Sequence, residues 1–165
     1  MKITARLALF AAAAAAAVWL WIVFFPGPEK IIRRHLASVA ADVSFSSGQN
    51  ALVMANNVEN LGGFFATNVE VNVDVPGHER QTFASRAEIT QAALAAHQAV
   101  RGLQVQFLDV SVTLAPDRQS ATADLTVKAQ AAGEKDFYSQ ELKITFRKMD
   151  GDWFITRVET VRTLS

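Results

Sequence analysis

Three histidines are the side chains of this 165-residue chain that titrate closest to neutral pH, so they are the first candidates for acid–base chemistry. His35 lies on the apolar stripe of a predicted helix, His97 lies at the edge of another helix, and His78 follows a Pro76–Gly77 turn. A histidine on an apolar stripe is more often a hydrogen-bonded boundary residue than a base, and a loop histidine is usually solvated. His35 and His97 are therefore candidate ligand-binding residues, with His35 as the catalytic alternative.

Strand alternation in the C-terminal half adds three polar candidates. The side chains that alternation predicts on the same sheet face as Leu142 are Tyr138, Gln140 and Arg157. Polar tips among apolar residues could line a pocket and orient a ligand. The alternative is that they lie at the margin of the sheet, in water or paired with Glu159 or Asp109. This alternative is favoured because buried charges need partners.

Metal and nucleotide motifs are absent from the sequence. No two histidines are four residues apart and no H-E-x-x-H occurs, so no metal site is predicted. No G-x-x-x-x-G-K, G-x-G-x-x-G or G-x-S-x-G motif occurs either, so Gly62–Gly63 is interpreted as a helix stop and no cofactor is predicted. The chain has no cysteine, which excludes disulfides, thiolate metal ligands and a cysteine nucleophile.

The charge balance argues against nucleic acid as a partner. The chain has 16 basic and 16 acidic residues, and Lys2 and Arg6 precede residue 28, so 14 basic residues face 16 acidic ones in the remainder. Binding to phosphates requires a concentrated positive field, which a net charge of −2 does not supply.

A hydrophobic segment runs from Leu7 to Phe25, 19 residues without a charged side chain. As a helix it would be about 28 Å long, close to the ~30 Å hydrocarbon core of a bilayer. A cleaved signal peptide is the alternative, but the small residues Ala11–Ala17 come before the most hydrophobic stretch, and Pro26-Gly27-Pro28 lacks a small-x-small pattern. The sequence favours residues 1–27 as an uncleaved anchor, with residues 7–25 in the lipid bilayer.

Orientation in the membrane follows from the shortness of the N-terminal tail. Lys2 and Arg6 on one side nearly balance Lys30, Arg33 and Arg34 on the other, so the positive-inside rule alone does not decide. A very short N-terminal tail usually stays in the cytoplasm. We therefore expect residues 28–165 on the extracytoplasmic side.

Residues 28–165 are predicted to form one α+β domain. Hydrophobic periodicity predicts helices at about 29–43, 50–61 and 85–100, and strands at about 69–75, 80–84, 103–115, 121–129, 137–148 and 153–163. Ser85 and Glu88 have capping-box spacing, and Asp150-Gly151 is a strong hairpin signal. The apolar parity of the third strand switches between Phe107 and Leu108, which predicts a β-bulge.

This order of elements resembles the nuclear transport factor 2-like superfamily over Pro28–Leu164. The segments that carry the resemblance are Phe64-Phe65-Ala66-Thr67-Asn68-Val69-Glu70-Val71, Ser85-Arg86-Ala87-Glu88-Ile89, the bulged strand and Asp150-Gly151-Asp152-Trp153-Phe154-Ile155. The resemblance implies a curved sheet wrapped as a cone around three helices. It does not imply one activity, since relatives include ketosteroid isomerases, polyketide cyclases, dehydratases and domains that only bind.

The isomerase relatives use a carboxylate base before a proline, an oxyanion-binding aspartate and a tyrosine on the first helix. By pattern, these positions correspond to Val75, Ile144 and His35. Val75 cannot accept a proton and Ile144 cannot donate a hydrogen bond, so the resemblance does not extend to isomerase chemistry.

Two functions remain open at this point. The first is a membrane-anchored, non-catalytic binding or assembly domain that contacts a small apolar ligand or an envelope protein, an architecture that resembles anchored components of type IV secretion systems. The alternative is a hydrolase, cyclase or dehydratase in which His35 acts with a carboxylate such as Asp42 or Asp109. The predicted outer sheet face is polar, which favours a monomer or a weak dimer.

Overall fold

Three helices and a six-stranded sheet follow residue 27 in the computed structural model, which describes residues 12–20, 27–74 and 79–161. The helices are α1 (Pro28–Val43), α2 (Ala51–Gly63) and α3 (Arg86–Ala99), and the strands are β1 (Phe65–Val73), β2 (Gln81–Phe83), β3 (Leu103–Leu114), β4 (Ser120–Ala131), β5 (Tyr138–Met149) and β6 (Asp152–Thr160). The predicted α+β class and the order of its elements are confirmed.

The N-terminal segment is described only over residues 12–20, which are helical. Within the described residues, no helix is both long enough and apolar enough to cross a bilayer. The other parts of the predicted anchor, residues 7–11 and 21–25, lie outside the described residues. So do Val75 and His78.

The sheet has the strand order β2-β1-β6-β5-β4-β3. β1 runs parallel to β6, and all the other neighbours are antiparallel. α1 packs along β3 and against α2, while α3 packs against α2, β1 and β2. The helices therefore cover one face of the sheet, and the other face is left to solvent.

The core lies between the stripe of α1 and the inner face of the sheet. Ile32, Leu36 and Val39 recur at a spacing of three to four residues and are buried, which is why this segment packs as a helix. The strand residues buried against them include Val69, Ala121, Ala123, Leu125, Leu142, Ile144, Phe146, Trp153 and Ile155. Alternation along β4 and β5 predicted this face correctly.

Local sequence signals set the ends of two elements as predicted. Ser85 Oγ accepts a hydrogen bond from the Glu88 N–H (3.3 Å), and Glu88 Oε2 accepts one from the Ala84 N–H (2.9 Å). The glutamate therefore caps the N–H one residue before the N-cap. Asp150 and Gly151 have φ values of 52° and 93°, the positive pair that a two-residue hairpin requires.

The helix stop predicted at Gly62–Gly63 is confirmed, since α2 ends at Gly63, although both glycines are still helical. Gly62 is also required for packing. A Cβ at that position would lie 3.0 Å from Thr90 Cγ2 of α3, so the missing side chain lets the two helices approach closely.

The predicted bulge in β3 is confirmed, with a shift in its position. Pairing with β4 slips between Leu108 and Ser111, and Asp109 has a φ of 53°. The extra residue is therefore Asp109, not one at the Phe107–Leu108 step. A bulge bends its strand and increases the local twist, so β3 and its neighbours can curve around α1.

A second bulge, which the sequence reading missed, interrupts β6. Phe146 of β5 pairs with Ile155, whereas Thr145 pairs with Arg157, so Thr156 has no opposite residue. The bulge exchanges the two faces of β6 beyond it. Val158 is consequently buried and Arg157 is exposed.

The edge of β3 that no other strand covers is hydrogen-bonded to α1 and to the residues that follow α1. Ser44 Oγ accepts from the Val105 N–H (2.9 Å), the backbones of Phe45 and Leu103 bond reciprocally (2.8 Å each way), and Arg33 Nη1 donates to the Val110 carbonyl (2.6 Å). These contacts occupy backbone groups that an edge strand otherwise offers to another strand.

We expect Ile144→Ala to lower the free energy of unfolding by about 2–4 kcal/mol, because it deletes buried methyl groups at the centre of the core. Lys143→Ala, on the opposite face of the same strand, should change it by less than about 0.5 kcal/mol. Urea unfolding of residues 28–165 can be followed through Trp153, the one tryptophan in that range. A loss below about 1 kcal/mol for Ile144→Ala would show that the buried face is misassigned.

Candidate functional site

The residues on the inner face of β4 and β5 change from buried to half-buried along the strands. Ala121, Ala123 and Leu125 are buried, and further along the same face Val127 and Ala129 are only half-buried. Register pairs these last two with β5 residues that are also half-buried. We call the four residues of this surface the mouth wall: Val127, Ala129, Tyr138 and Gln140.

The main contacts of α3 are with elements other than the mouth-wall strands β4 and β5. α3 packs on α2, β1 and β2, and none of its residues is fully buried. Its inner side chains are mostly small, as the sequence indicated: Ile89, Ala93 and Ala96 are half-buried. The mouth wall is therefore a half-buried surface of two apolar and two polar side chains, and small-molecule sites combine these two kinds of side chain.

Tyr138 lies on the inner face, as predicted, and is hydrogen-bonded to the end of β1. Its hydroxyl donates to the Asp74 carbonyl at 3.0 Å. Burial, and secondarily the Asp74 carboxylate, raise the pKa of the phenol above its ordinary value of 10.0. The phenol is therefore neutral at physiological pH, and its oxygen keeps lone pairs that can accept a hydrogen bond.

Gln140 also lies on the inner face, opposite Val127. Its side chain is half-buried and makes no hydrogen bond within the described part of the chain. A carboxamide supplies both donors and acceptors, so Gln140 is free to orient a polar group of a ligand.

Asp74, directly after β1, is a residue beside the mouth wall that the sequence reading missed. Its N–H donates to Thr160 Oγ1 (3.0 Å), and its carboxylate accepts from Arg80 (2.6 Å to Nε). Together with the Tyr138 bond, these contacts tie the end of β1 to β5, to β6 and to the residues before β2. Alternation predicted Asp74 as an outward position before a turn, and only the folded chain brings these partners together.

His35 lies at the other end of the sheet from Tyr138. Its ring is 5.3 Å from that of Phe64, and its Nδ1 is buried without a hydrogen-bond partner among the described residues. Burial lowers the pKa of His35 from its ordinary value of 6.5, against raising effects from Asp152 and the backbone of Trp153. The carboxylate that acts on His35 is therefore Asp152, not Asp42 or Asp109.

Register locates His35 relative to the mouth wall. Trp153 pairs with Lys148, ten residues along β5 from Tyr138. At about 3.3 Å per residue this corresponds to ~33 Å along the strand. His35, beside Trp153, and Tyr138 therefore lie near opposite ends of β5.

His97 belongs to a third cluster, at the C-terminal end of α3. Its Nδ1 lies 2.8 Å from the Ala93 carbonyl, and since a carbonyl only accepts, Nδ1 carries the proton. Its ring stacks on Phe45 with 3.8 Å between centroids and 20° between planes. The Nε2 atom is buried without a partner among the described residues.

The prediction that Arg157 shares a face with Tyr138 and Gln140 is wrong. Because of the bulge at Thr156, Arg157 points to the outer face and forms an ion pair with Glu70 at 2.6 Å. Both side chains are more than half exposed, so the pair contributes about 0–1 kcal/mol to stability. Its partner is neither Glu159 nor Asp109.

Within residues 12–20, 27–74 and 79–161, no group of three His, Asp or Glu side chains is placed to hold a metal ion. The described candidates are thus divided among the mouth wall, the His35 cluster, the His97 cluster and the outer face.

Comparison with known proteins supports the fold and gives no closer relationship. No family model matches the chain, and no curated protein matches it. A solved nuclear transport factor 2-like protein with a cystatin-like fold from Novosphingobium aromaticivorans is 20% identical, with a TM-score of 0.63, over 89% of this chain and 86% of that one.

Two further solved structures are similar in shape. A protein of unknown function with a cystatin-like fold from Nostoc punctiforme is 15% identical (TM-score 0.60; 82% of this chain, 92% of that one). Aln2 from a Streptomyces species is 12% identical (TM-score 0.62; 83% of this chain, 93% of that one). The chain therefore has the nuclear transport factor 2-like fold, and the resemblance read from the sequence is confirmed at the level of fold.

The lowered pKa of His35 predicts a pH dependence of stability. Between the folded and unfolded pKa values, the unfolded chain binds more protons, so the stability present above pH 6.5 is lost as the pH falls below that value. His35→Gln should therefore make the free energy of unfolding of residues 28–165 depend less steeply on pH between about pH 7.5 and 5.5. Urea unfolding followed by circular dichroism tests this, and equal slopes in the two proteins would contradict it.

Proposed function

We propose that this chain is a membrane-anchored, non-catalytic binding domain whose mouth wall takes a small apolar ligand. One observation carries the proposal: the sheet face that is buried in the core becomes half-buried at the mouth wall, where Tyr138 and Gln140 add polar groups to the apolar Val127 and Ala129. Tyr138 can accept a hydrogen bond and Gln140 can donate or accept one, which suits an apolar molecule with one or two polar atoms.

The distribution of titratable groups supports binding over catalysis. Proton-transfer catalysis needs a base against the reacting atom and donors facing the developing charge. Tyr138 is the one titratable residue of the mouth wall, and its raised pKa keeps it protonated. Ile144, where the isomerase relatives have an oxyanion donor, is 3% exposed in the core. A hydrolase, cyclase or dehydratase acting through His35 is less well supported, because His35 lies at the hairpin end of the sheet.

We also propose that residues 7–25 hold the domain at the membrane, with the domain on the extracytoplasmic side. The support is the 19-residue uncharged stretch together with the exposure of Val18, Trp19 and Leu20 in the helical residues 12–20. Large apolar side chains exposed to water are unfavourable, whereas a bilayer accepts them.

A monomer or weak dimer belongs to the same proposal. The outer face of β4 and β5 carries Thr122, Asp124, Thr126, Lys128, Glu141, Lys143, Thr145 and Arg147. Every one of these side chains is polar or charged, whereas obligate dimer interfaces are apolar at their centre.

A bulky side chain on the mouth wall should prevent ligand binding. We expect native mass spectrometry of the detergent-extracted full chain to find a retained small molecule, and Ala129→Trp to lower its occupancy at least about tenfold by occupying its space. Lys128→Trp, the adjacent residue on the opposite face, is the matched control and should retain the ligand. Equal occupancy in both variants, or an empty unaltered chain, would contradict the proposal.

The absence of cysteine makes the orientation directly testable. We expect Ser47→Cys, in an exposed loop of the domain, to react with a membrane-impermeant maleimide in intact spheroplasts. Lys2→Cys, on the proposed cytoplasmic side, should react only after lysis. The reverse pattern would place the domain in the cytoplasm, and release of the chain by alkaline carbonate would contradict the anchor itself.

A further inference from the structure

Three basic side chains lie on one side of α1, at its start. Lys30, Arg33 and Arg34 recur at a spacing of three to four residues, so they share one side of the helix, and all three are exposed. We call these three residues the α1 basic face. One acidic residue, Glu29, lies in the same two turns, and no lysine or arginine follows Arg34 in α1.

Helix stability does not account for basic residues at this end of α1. The N-terminal end of a helix carries a partial positive charge, so a cation is disfavoured in the first turn and favoured in the last. Lys30 is the third residue of α1, and the last turn has no basic residue. The position of the α1 basic face therefore has another explanation than the stability of the helix.

The charges of the α1 basic face are available to an external anion. None of the three side chains forms an ion pair with another residue in the part of the chain that the structure describes. Arg33 donates from Nη1 to the Val110 carbonyl (2.6 Å), which uses one of the five N–H donors of its guanidinium. The remaining donors and all three positive charges can therefore contact a negatively charged partner.

The covalent chain limits the distance between this face and the proposed anchor. Gly27, the N-cap of α1, comes two residues after Phe25, and two residues span at most about 7 Å. At 1.5 Å per residue, Lys30 lies about 5 Å and Arg34 about 11 Å further along the helix. The Cα atom of Lys30 is therefore within about 12 Å of the end of the anchor, and that of Arg34 within about 18 Å.

These distances place the α1 basic face beside lipid headgroups if the anchor is in the bilayer. Headgroups occupy roughly the first 5–8 Å outside the hydrocarbon core. Charges act beyond them over about 8 Å at physiological salt. Because the connection has the same length whichever side of the membrane the domain occupies, this result does not depend on the orientation.

We propose that the α1 basic face binds the phosphate groups of anionic phospholipids in the leaflet that the domain faces. This inference rests on the membrane anchoring proposed above. Arginine can bond a phosphate through two parallel N–H donors, and lysine adds a compact positive charge. Basic residues next to a membrane segment are attracted to an anionic surface, and salt screens the attraction.

The full chain in phosphatidylcholine vesicles that contain a spin-labelled lipid tests the proposal. The spectrum reports how much of the labelled lipid is held against the protein. We expect labelled phosphatidylglycerol to associate at least about threefold more strongly than labelled phosphatidylcholine at low salt. The preference should fall at about 1 M salt, where the Debye length is only about 3 Å.

Variants locate the effect on α1. The combined variant Lys30→Gln, Arg33→Gln, Arg34→Gln should lose at least about half of the preference. A matched control removes the same charge outside α1 and should keep the preference: Arg101→Gln, Lys135→Gln, Lys143→Gln. If the combined α1 variant does not fold, Arg34→Gln alone, at an exposed position, should still lower the preference.

Two results would contradict the proposal in different ways. A chain that enters the vesicles but associates equally with the two lipids, or loses the preference equally in the control variant, would overturn this inference and leave the anchor intact. A chain that does not enter phosphatidylcholine vesicles would overturn the anchor and this inference with it.

Discussion

A sheet can surround a helix only if its strands bend, and here the bends occur where one strand has a residue more than its neighbour. Asp109 supplies that residue in β3 and Thr156 supplies it in β6. The curvature lets one sheet enclose the stripe of α1, with Ile32 and Leu36 at its centre. The same bulges decide which side chains face inward beyond them. The position of the core and the exposure of Arg157 thus both follow from the need to bend the strands by bulges.

Predictions from sequence succeeded where the cause was local. The capping box at Ser85, the hairpin at Asp150-Gly151 and the parity change in β3 each depend on a few neighbouring residues. The bulge at Thr156 was missed because Trp153 and Ile155 set an alternation that continued to Arg157. The apolar residue at the opposite parity, Val158, was the signal that could have revealed it.

The candidate sites were harder to predict than the fold because they depend on contacts between distant segments. Tyr138 and Gln140 were assigned to the correct face by alternation alone. The pairing of His97 with Phe45, and of Tyr138 with Asp74, joins residues more than fifty positions apart, which no local pattern reports. His35 shows the same limit, since the helical pattern placed it on the apolar stripe of α1 but did not indicate that Asp152 and Trp153 would lie beside it.

The bonds that α1 and its following residues make to the edge of β3 have a consequence for self-association. β3 is 12 residues long and β2, at the opposite edge, has only three. A long free edge is a template for strand addition by another copy. Here one edge is too short to serve and the other already uses backbone groups at Leu103, Val105 and Val110. Copies of the domain crowded together therefore lack the continuous edge from which a shared intermolecular sheet would grow.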